Sequence, residues 1–191
     1  MAKHKKQQRL KPYKTMKLAK NNSWKAPDGY SVLVLDRGAV MMNIPRDWLL
    51  VQMEPHVTIH DQQPPDDNAR LSVSFWKHSP HIDWTGLPLP KLLEQSVNDD
   101  RLKGTAYTPI ARLPRTDIEM VWTEHQFKDE EQDRWAYSRV TVARGFGVHT
   151  VLSFDYWVDD AEKFRPVWEE IVRSLQLGLV IDDPTKGVTL H

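Results

Sequence analysis

Residues 117–177 read DIEMVWTEHQFKDEEQDRWAYSRVTVARGFGVHTVLSFDYWVDDAEKFRPVWEEIVRSLQL. Glu119–Phe127 and Arg134–Ala143 are β-rich runs separated by the acidic turn Lys128 to Asp133. Arg144-Gly145-Phe146-Gly147 turns the chain again. In His149–Val158, Leu152, Phe154, Tyr156 and Val158 recur at every second position, the period of a strand with one apolar face. Phe164, Val167, Trp168, Ile171, Val172 and Leu175 then follow the i, i+3, i+4, i+7 spacing of an amphipathic helix broad enough to cover a sheet. Asp159 is the expected N-cap, with Glu162 completing a capping box, and Gly178 the expected stop. The order strand, strand, strand, helix specifies an antiparallel meander closed by a helix.

Upstream, Val32–Leu35 and Ala39–Ile44 flank Asp36-Arg37-Gly38 and predict a hairpin, ended by Pro45, which has no donor for a ladder. Leu49 to Ile59 alternates as one strand, with Gln52, Glu54, His56, Thr58 and His60 on a wet face and Pro55 marking an edge or a bulge. Residues 61–68 are a polar loop, and Leu71, Val73 and Phe75 belong to a further strand. His78 to Pro90 is a Pro- and Gly-bearing ordered loop containing Trp84. A helix is predicted over 90–102 and a short strand within 105–115.

The chain has 191 residues, enough for one domain with a core of its own. It has no cysteine, which excludes disulfides, thiolate metal ligands and a Cys nucleophile. No apolar window is long enough for a membrane span, and the basic N-terminus has no apolar signal-like core, so a cytoplasmic location is expected. The formal net charge of zero conceals a division: residues 1–25 hold nine Lys or Arg and no acid, leaving 17 basic against 26 acidic residues in the remainder, a net of −9. The expected organisation is a mobile basic arm over 1–22, one α+β domain over 23–179 and a loose tail over 180–191.

The opening hairpin runs into Ile44-Pro45-x-x-Trp48, and the closing helix reads Phe164-x-x-Val167-Trp168-x-x-Ile171-Val172-x-Ser174-Leu175. This order and these motifs resemble the Mog/PsbP-like superfamily over residues 30–177. The resemblance implies an α/β/α sandwich around a central antiparallel sheet, with helices packed on its faces. It also implies a role in binding or stabilising partners, since members include a Ran-binding nuclear transport factor, an extrinsic photosystem subunit and bacterial proteins of unknown role. No functional residue carries over, because the matching positions are structural.

Candidate chemistry is sparse. His56 and His60 lie four residues apart on a predicted strand, where the rings stand roughly 13 Å apart, too far to share one ion. His78 and His81 are two potential ligands in one loop, and two do not make a site. The carboxylate clusters at Asp66-Asp67, Asp99-Asp100, Asp129–Glu131 and Asp159-Asp160 all fall in turns or at helix ends, where they solvate or cap. There is no Gly-x-Ser-x-Gly, P-loop or Gly-x-Gly-x-x-Gly. No metal and no cofactor is therefore expected.

Eight tryptophans are the unusual resource. Trp48 and Trp168 read as core. Trp76 and Trp157 oppose their strands' apolar faces, so either both sheet faces are covered or aromatic rings are presented to a partner, together with Trp84. The reading is a non-catalytic binding or adaptor domain with an unidentified protein partner, its candidate contacts being Trp76, Trp84 and Trp157. The alternative is nucleic-acid or anionic-surface binding by the arm through Lys3, Lys5, Lys6, Arg9, Lys11 and Lys14, by phosphate neutralisation. An enzyme of unspecified type comes third, and the oligomeric state is left open.

Overall fold

A computed structural model describes residues 19–53, 56–79, 81, 83–84, 86–97 and 107–187. In chain order these form β1 (Tyr30–Leu35), β2 (Val40–Pro45), β3 (Leu49–Met53), β4 (His56–His60), β5 (Ala69–Lys77), α1 (Leu89–Val97), β6 (Ala111–Arg112), β7 (Glu119–Asp129), β8 (Arg134–Gly145), β9 (Val148–Trp157), α2 (Ala161–Ser174) and β10 (Gln176–Leu177). Seven strands make one antiparallel sheet in the order β3-β4-β5-β9-β8-β7-β6, and β1-β2-β10 make a second. The expected meander is present: Phe127 pairs with Ala136, and Leu152 with Thr141.

The small sheet and α2 cover one face of the large sheet. Phe164, Trp168, Ile171 and Val172 of α2 join Val40 and Met42 of β2 with Leu71, Leu152 and Phe154 of the large sheet in one core. Phe154 is its centre, stacked between Trp168 (5.7 Å between centroids, 13°) and Trp48 (6.0 Å, 20°), with Phe164 edge-on at 6.5 Å. On the opposite face, Leu89 and Leu93 of α1 pack on Val121, Val140 and Val142. Two covered faces explain why β8 is buried on both sides from Val140 to Ala143. The architecture is the predicted α/β/α sandwich.

Three local expectations are corrected. Residues 49–59 are two strands: Leu50 pairs with Ile59 and Val51 with Thr58, so β3 and β4 are a hairpin at the sheet edge. Pro55, the residue whose ring first suggested an edge or a bulge, lies outside the described residues. His60 is then not on a wet face. It is 7% exposed, with Nδ1 2.8 Å from Asp67 Oδ2 and Nε2 3.2 Å from Thr58 Oγ1. The capping box at Asp159 and Glu162 does not form, because residues 158–160 make a 3-10 turn ahead of α2, whose cap is Asp160 without a side-chain bond. Asp159 and Asp160 face Arg134 instead, at 3.4 and 3.1 Å. Finally, α2 stops at Ser174, before Gly178, because Gln176 and Leu177 extend to pair with Met41 and Val40.

The tail expected to be loose is tied down over most of its described length. Ile181 is 4% exposed and donates its N–H to Arg37 O at 3.1 Å. Ala19 N donates to Thr185 O and Ser23 N to Lys186 O, both at 2.8 Å, while Trp24 Nε1 donates to Pro184 O at 2.8 Å. Residues 19–22, assigned to the arm, thus meet the tail. Replacing Trp24 with Phe, which keeps most of the packing and deletes that donor, is expected to cost about 1 kcal/mol in urea unfolding. An unchanged midpoint would mean that the two ends are not coupled. Residues 98–106, including the end of the predicted 90–102 helix, and 188–191 lie outside the described residues.

Candidate functional site

The site is built at the end of the large sheet where β5 leaves, β7 begins and β8 turns into β9. The β8–β9 connection has two residues, Phe146 (φ +49°) and Gly147 (φ +72°), between the paired Gly145 and Val148. Two consecutive positive φ values define a type I′ hairpin turn, which Asn and Gly adopt readily and a bulky residue does not. Phe146 nevertheless occupies it, 71% exposed. Behind it runs Gly178 (φ +66°): a Cβ there would meet Phe146 Cβ at 2.5 Å and Phe146 O at 2.7 Å. The turn and the strap after β10 therefore touch backbone to backbone. Val180, 62% exposed, follows on that strap.

These elements and the loop after β5 enclose a cleft of about 720 Å³, lined by His78, Trp84, Arg115, Asp117, Arg144 and Phe146 among others. Arg144, directly opposite His149 in the ladder, holds the loop down. Its Nη1 donates to Leu87 O at 2.9 Å and to Trp84 O, and its Nη2 to Glu119 Oε1 at 2.9 Å. His78 N donates to Gly147 O at 2.8 Å, and the His78 Nε2 and His149 Nδ1 atoms share one hydrogen. Trp84 lies on the His78 ring at 4.4 Å. Arg115 closes the far wall. It pairs with Asp117 through Nε at 2.9 Å, and its Nη1 donates to Val172 O and Arg173 O at 2.9 and 3.0 Å, satisfying carbonyls at the C-terminus of α2.

Electrostatics follow from this burial. His149 is 1% exposed, and its pKa falls from 6.5 to about 4, chiefly through burial, with His78 and Arg144 adding repulsion and Glu119 opposing them. Burial and Arg144 also lower His78. The hydrogen bond from Arg115 holds the Asp117 carboxyl below its usual range. Three buried polar atoms of the cluster have no hydrogen-bond partner: His149 Nε2, Trp84 Nε1 and Arg144 Nε.

The structure brings two of the three expected tryptophans together. Trp76, 43% exposed, meets His149 edge-on at 6.1 Å, and Trp84 meets it at 6.0 Å. Trp157 is at the other end of β9, about 26 Å along the strand from His149. There the Arg134 guanidinium covers its ring at 4.9 Å, beside a smaller cavity of about 210 Å³ lined by Phe127, Asp129 and Asp155. Trp157 therefore does not join the cluster that Trp76 and Trp84 form around His149. Lys3, Lys5, Lys6, Arg9, Lys11 and Lys14 lie outside the described residues. His78 partners His149 rather than His81, which is exposed.

Sequence reading missed Phe146, Val180, Arg144 and His149. Phe146 had a signal, a bulky residue between two glycines of a tight turn. Arg144 and His149 had none, because their partners come from a loop some sixty or seventy residues away. The Thr58–His60–Asp67 relay was also missed. It imitates a hydroxyl, imidazole and carboxylate series, but Thr58 is 4% exposed and its hydroxyl donates to Val51 O at 3.2 Å. That hydroxyl is buried and its hydrogen engaged, so it cross-links β3 and β4 rather than presenting a nucleophile.

The Alr1449 family pattern matches residues 31–181, a span that includes the meander, α2 and both walls of the cleft. The chain belongs to the Alr1449 family. The uncharacterized protein alr1449 of Nostoc sp. is 40% identical over 189 residues, covering 98% of each chain. Among solved structures, cyanobacterial PsbP (CyanoP) of Synechocystis sp. superposes with a TM-score of 0.56 at 11% identity, over 78% of this chain and 92% of that one. The Saccharomyces cerevisiae Ran-binding protein Mog1p gives 0.51 at 12% identity, over 78% and 95%. This Alr1449-family chain has the Mog/PsbP-like fold, as its closing helix and Pro-x-x-Trp turn indicated. No helix among the described residues is long and apolar enough to cross a membrane.

Proposed function

We propose that the protein is a binding or adaptor domain whose partner, another protein, docks at the cleft mouth on Phe146 and Val180. The observation that carries this reading is Phe146: a large aromatic ring, 71% exposed, in a left-handed conformation. Such a residue costs roughly 1–2 kcal/mol relative to one suited to that region, and an exposed ring contributes no core burial in return. Strain held at a protruding aromatic residue is what a recognition element looks like before its partner covers it. The fold neighbour Mog1p is a Ran-binding protein, which supports this scaffold as one that can present a protein-binding face.

The test separates stability from binding in one substitution. Phe146→Asn suits the I′ turn and removes the ring. It is expected to raise stability by about 1 kcal/mol and to abolish capture of a partner that the wild-type chain retains from lysate of its own cells. If wild type and variant retain the same proteins, the cleft mouth is not the docking face.

A further inference from the structure

The floor of the same cleft indicates what the partner presents. Two of the unpartnered buried atoms, Trp84 Nε1 and Arg144 Nε, are obligate donors, and the third, His149 Nε2, is a donor in one of the two neutral tautomers. All three belong to one contact cluster: Trp84 lies 6.0 Å from His149, and Arg144 and His149 are opposite one another across β8 and β9. Arg144 is 9% exposed and His149 1%. An unsatisfied buried donor costs on the order of 1–3 kcal/mol, so a group of them marks a place where an acceptor belongs. The local backbone acceptors, Trp84 O and Leu87 O, are already taken by Arg144 Nη1.

We infer that the cleft floor is a seat for a carboxylate of the protein partner, held by Arg144 and Trp84, which line the cleft, with His149 buried behind them. This rests on the reading of the cleft mouth as a protein-docking face. A carboxylate has two oxygens with about four lone-pair sites, suits a fixed guanidinium, and accepts from several donors at once. Arg144 already accommodates one carboxylate through Nη2, that of Glu119, whose side chain is half exposed. A second, entering from the cleft, meets the Nε edge. Phe146 and Val180 at the mouth favour apolar residues on either side of the acidic one.

The experiment uses the full chain and two short peptides, one with a glutamate between two leucines and one with glutamine in its place. Binding is followed by calorimetry and by the Trp84 indole N–H resonance, identified by its loss in Trp84→Phe. The glutamate peptide is expected to bind at least tenfold more tightly than the glutamine peptide and to shift that resonance. Trp84→Phe, which keeps the ring and deletes the donor, is expected to remove most of the difference, whereas Trp76→Phe leaves it. Equal binding of the two peptides, or an unmoved Trp84 resonance because bound water satisfies the donors, overturns the inference. So does phenylacetate binding as tightly as the peptide, which would make this a small-molecule site. These readouts do not involve lysate capture, so the carboxylate seat can fail while the docking face stands, and the reverse.

Discussion

Trp168→Ala is expected to lower the free energy of unfolding by about 3–5 kcal/mol. Trp168 is 3% exposed and stacks on Phe154, which is itself fully buried and ringed by Trp48, Phe164 and Tyr156. Truncation to a methyl group removes a large apolar surface and leaves a cavity that flat rings on a sheet cannot collapse to fill. Against a typical total of 5–15 kcal/mol, such a loss brings the chain close to unfolding at ambient temperature. Urea titration of both proteins is the measurement. A midpoint that does not move would show that α2 is not the lid of this core.

The second large effect depends on pH. His149 is neutral in the folded protein, with its pKa lowered from 6.5 to about 4, while the unfolded chain titrates near the ordinary value. Between these values the unfolded state binds the additional proton, so stability is fully present above 6.5 and is lost as pH falls towards 4. A displacement of that size corresponds to roughly 3 kcal/mol, lost across that window. His78 shifts in the same direction, and Arg144 on β8 opposes protonation of both rings. Glu119, at the start of β7, works the other way on His149. In His149→Asn the side-chain amide, which offers both an acceptor and a donor, can take the place of Nδ1 towards His78, and that position no longer titrates. The variant is expected to be less stable at pH 7.5 but to show a much flatter decline to pH 4.5. Parallel slopes for variant and wild type would remove His149 as the acid-sensitive group.

What could be read from the residues follows the range of the interactions. The meander and α2 were legible because period-two and 3.6-residue patterns are local, and the stripe Phe164, Trp168, Ile171 and Val172 is buried as its spacing implies. Residues 49–59 misled because a hairpin and a single strand both alternate: only the pairing of Leu50 with Ile59 distinguishes them. The Asp159 cap misled because a 3-10 turn displaced the start of the helix by one residue and Arg134 offered the carboxylates a partner. The cleft was the least legible part. Trp76 and Trp84 were singled out, but their common neighbour His149 and the anchoring Arg144 meet them only through sheet register and loop closure. Trp157 resembled them by pattern alone, since alternation specifies a face of the sheet and not an end of it.

The pairing of β10 with β2 constrains how the chain acquires its structure during synthesis. Met41 and Val40 find their partners in Gln176 and Leu177, about 135 residues later. Until that stretch leaves the ribosome, β2 has only β1 beside it, and the apolar side of the first hairpin has no α2 to cover it. Closing so long a loop is entropically expensive but only weakly length-dependent, so the delay is set chiefly by translation. A nascent chain halted before residue 161 therefore exposes Val40, Met42 and Phe154 together, an apolar surface suited to a chaperone's grip.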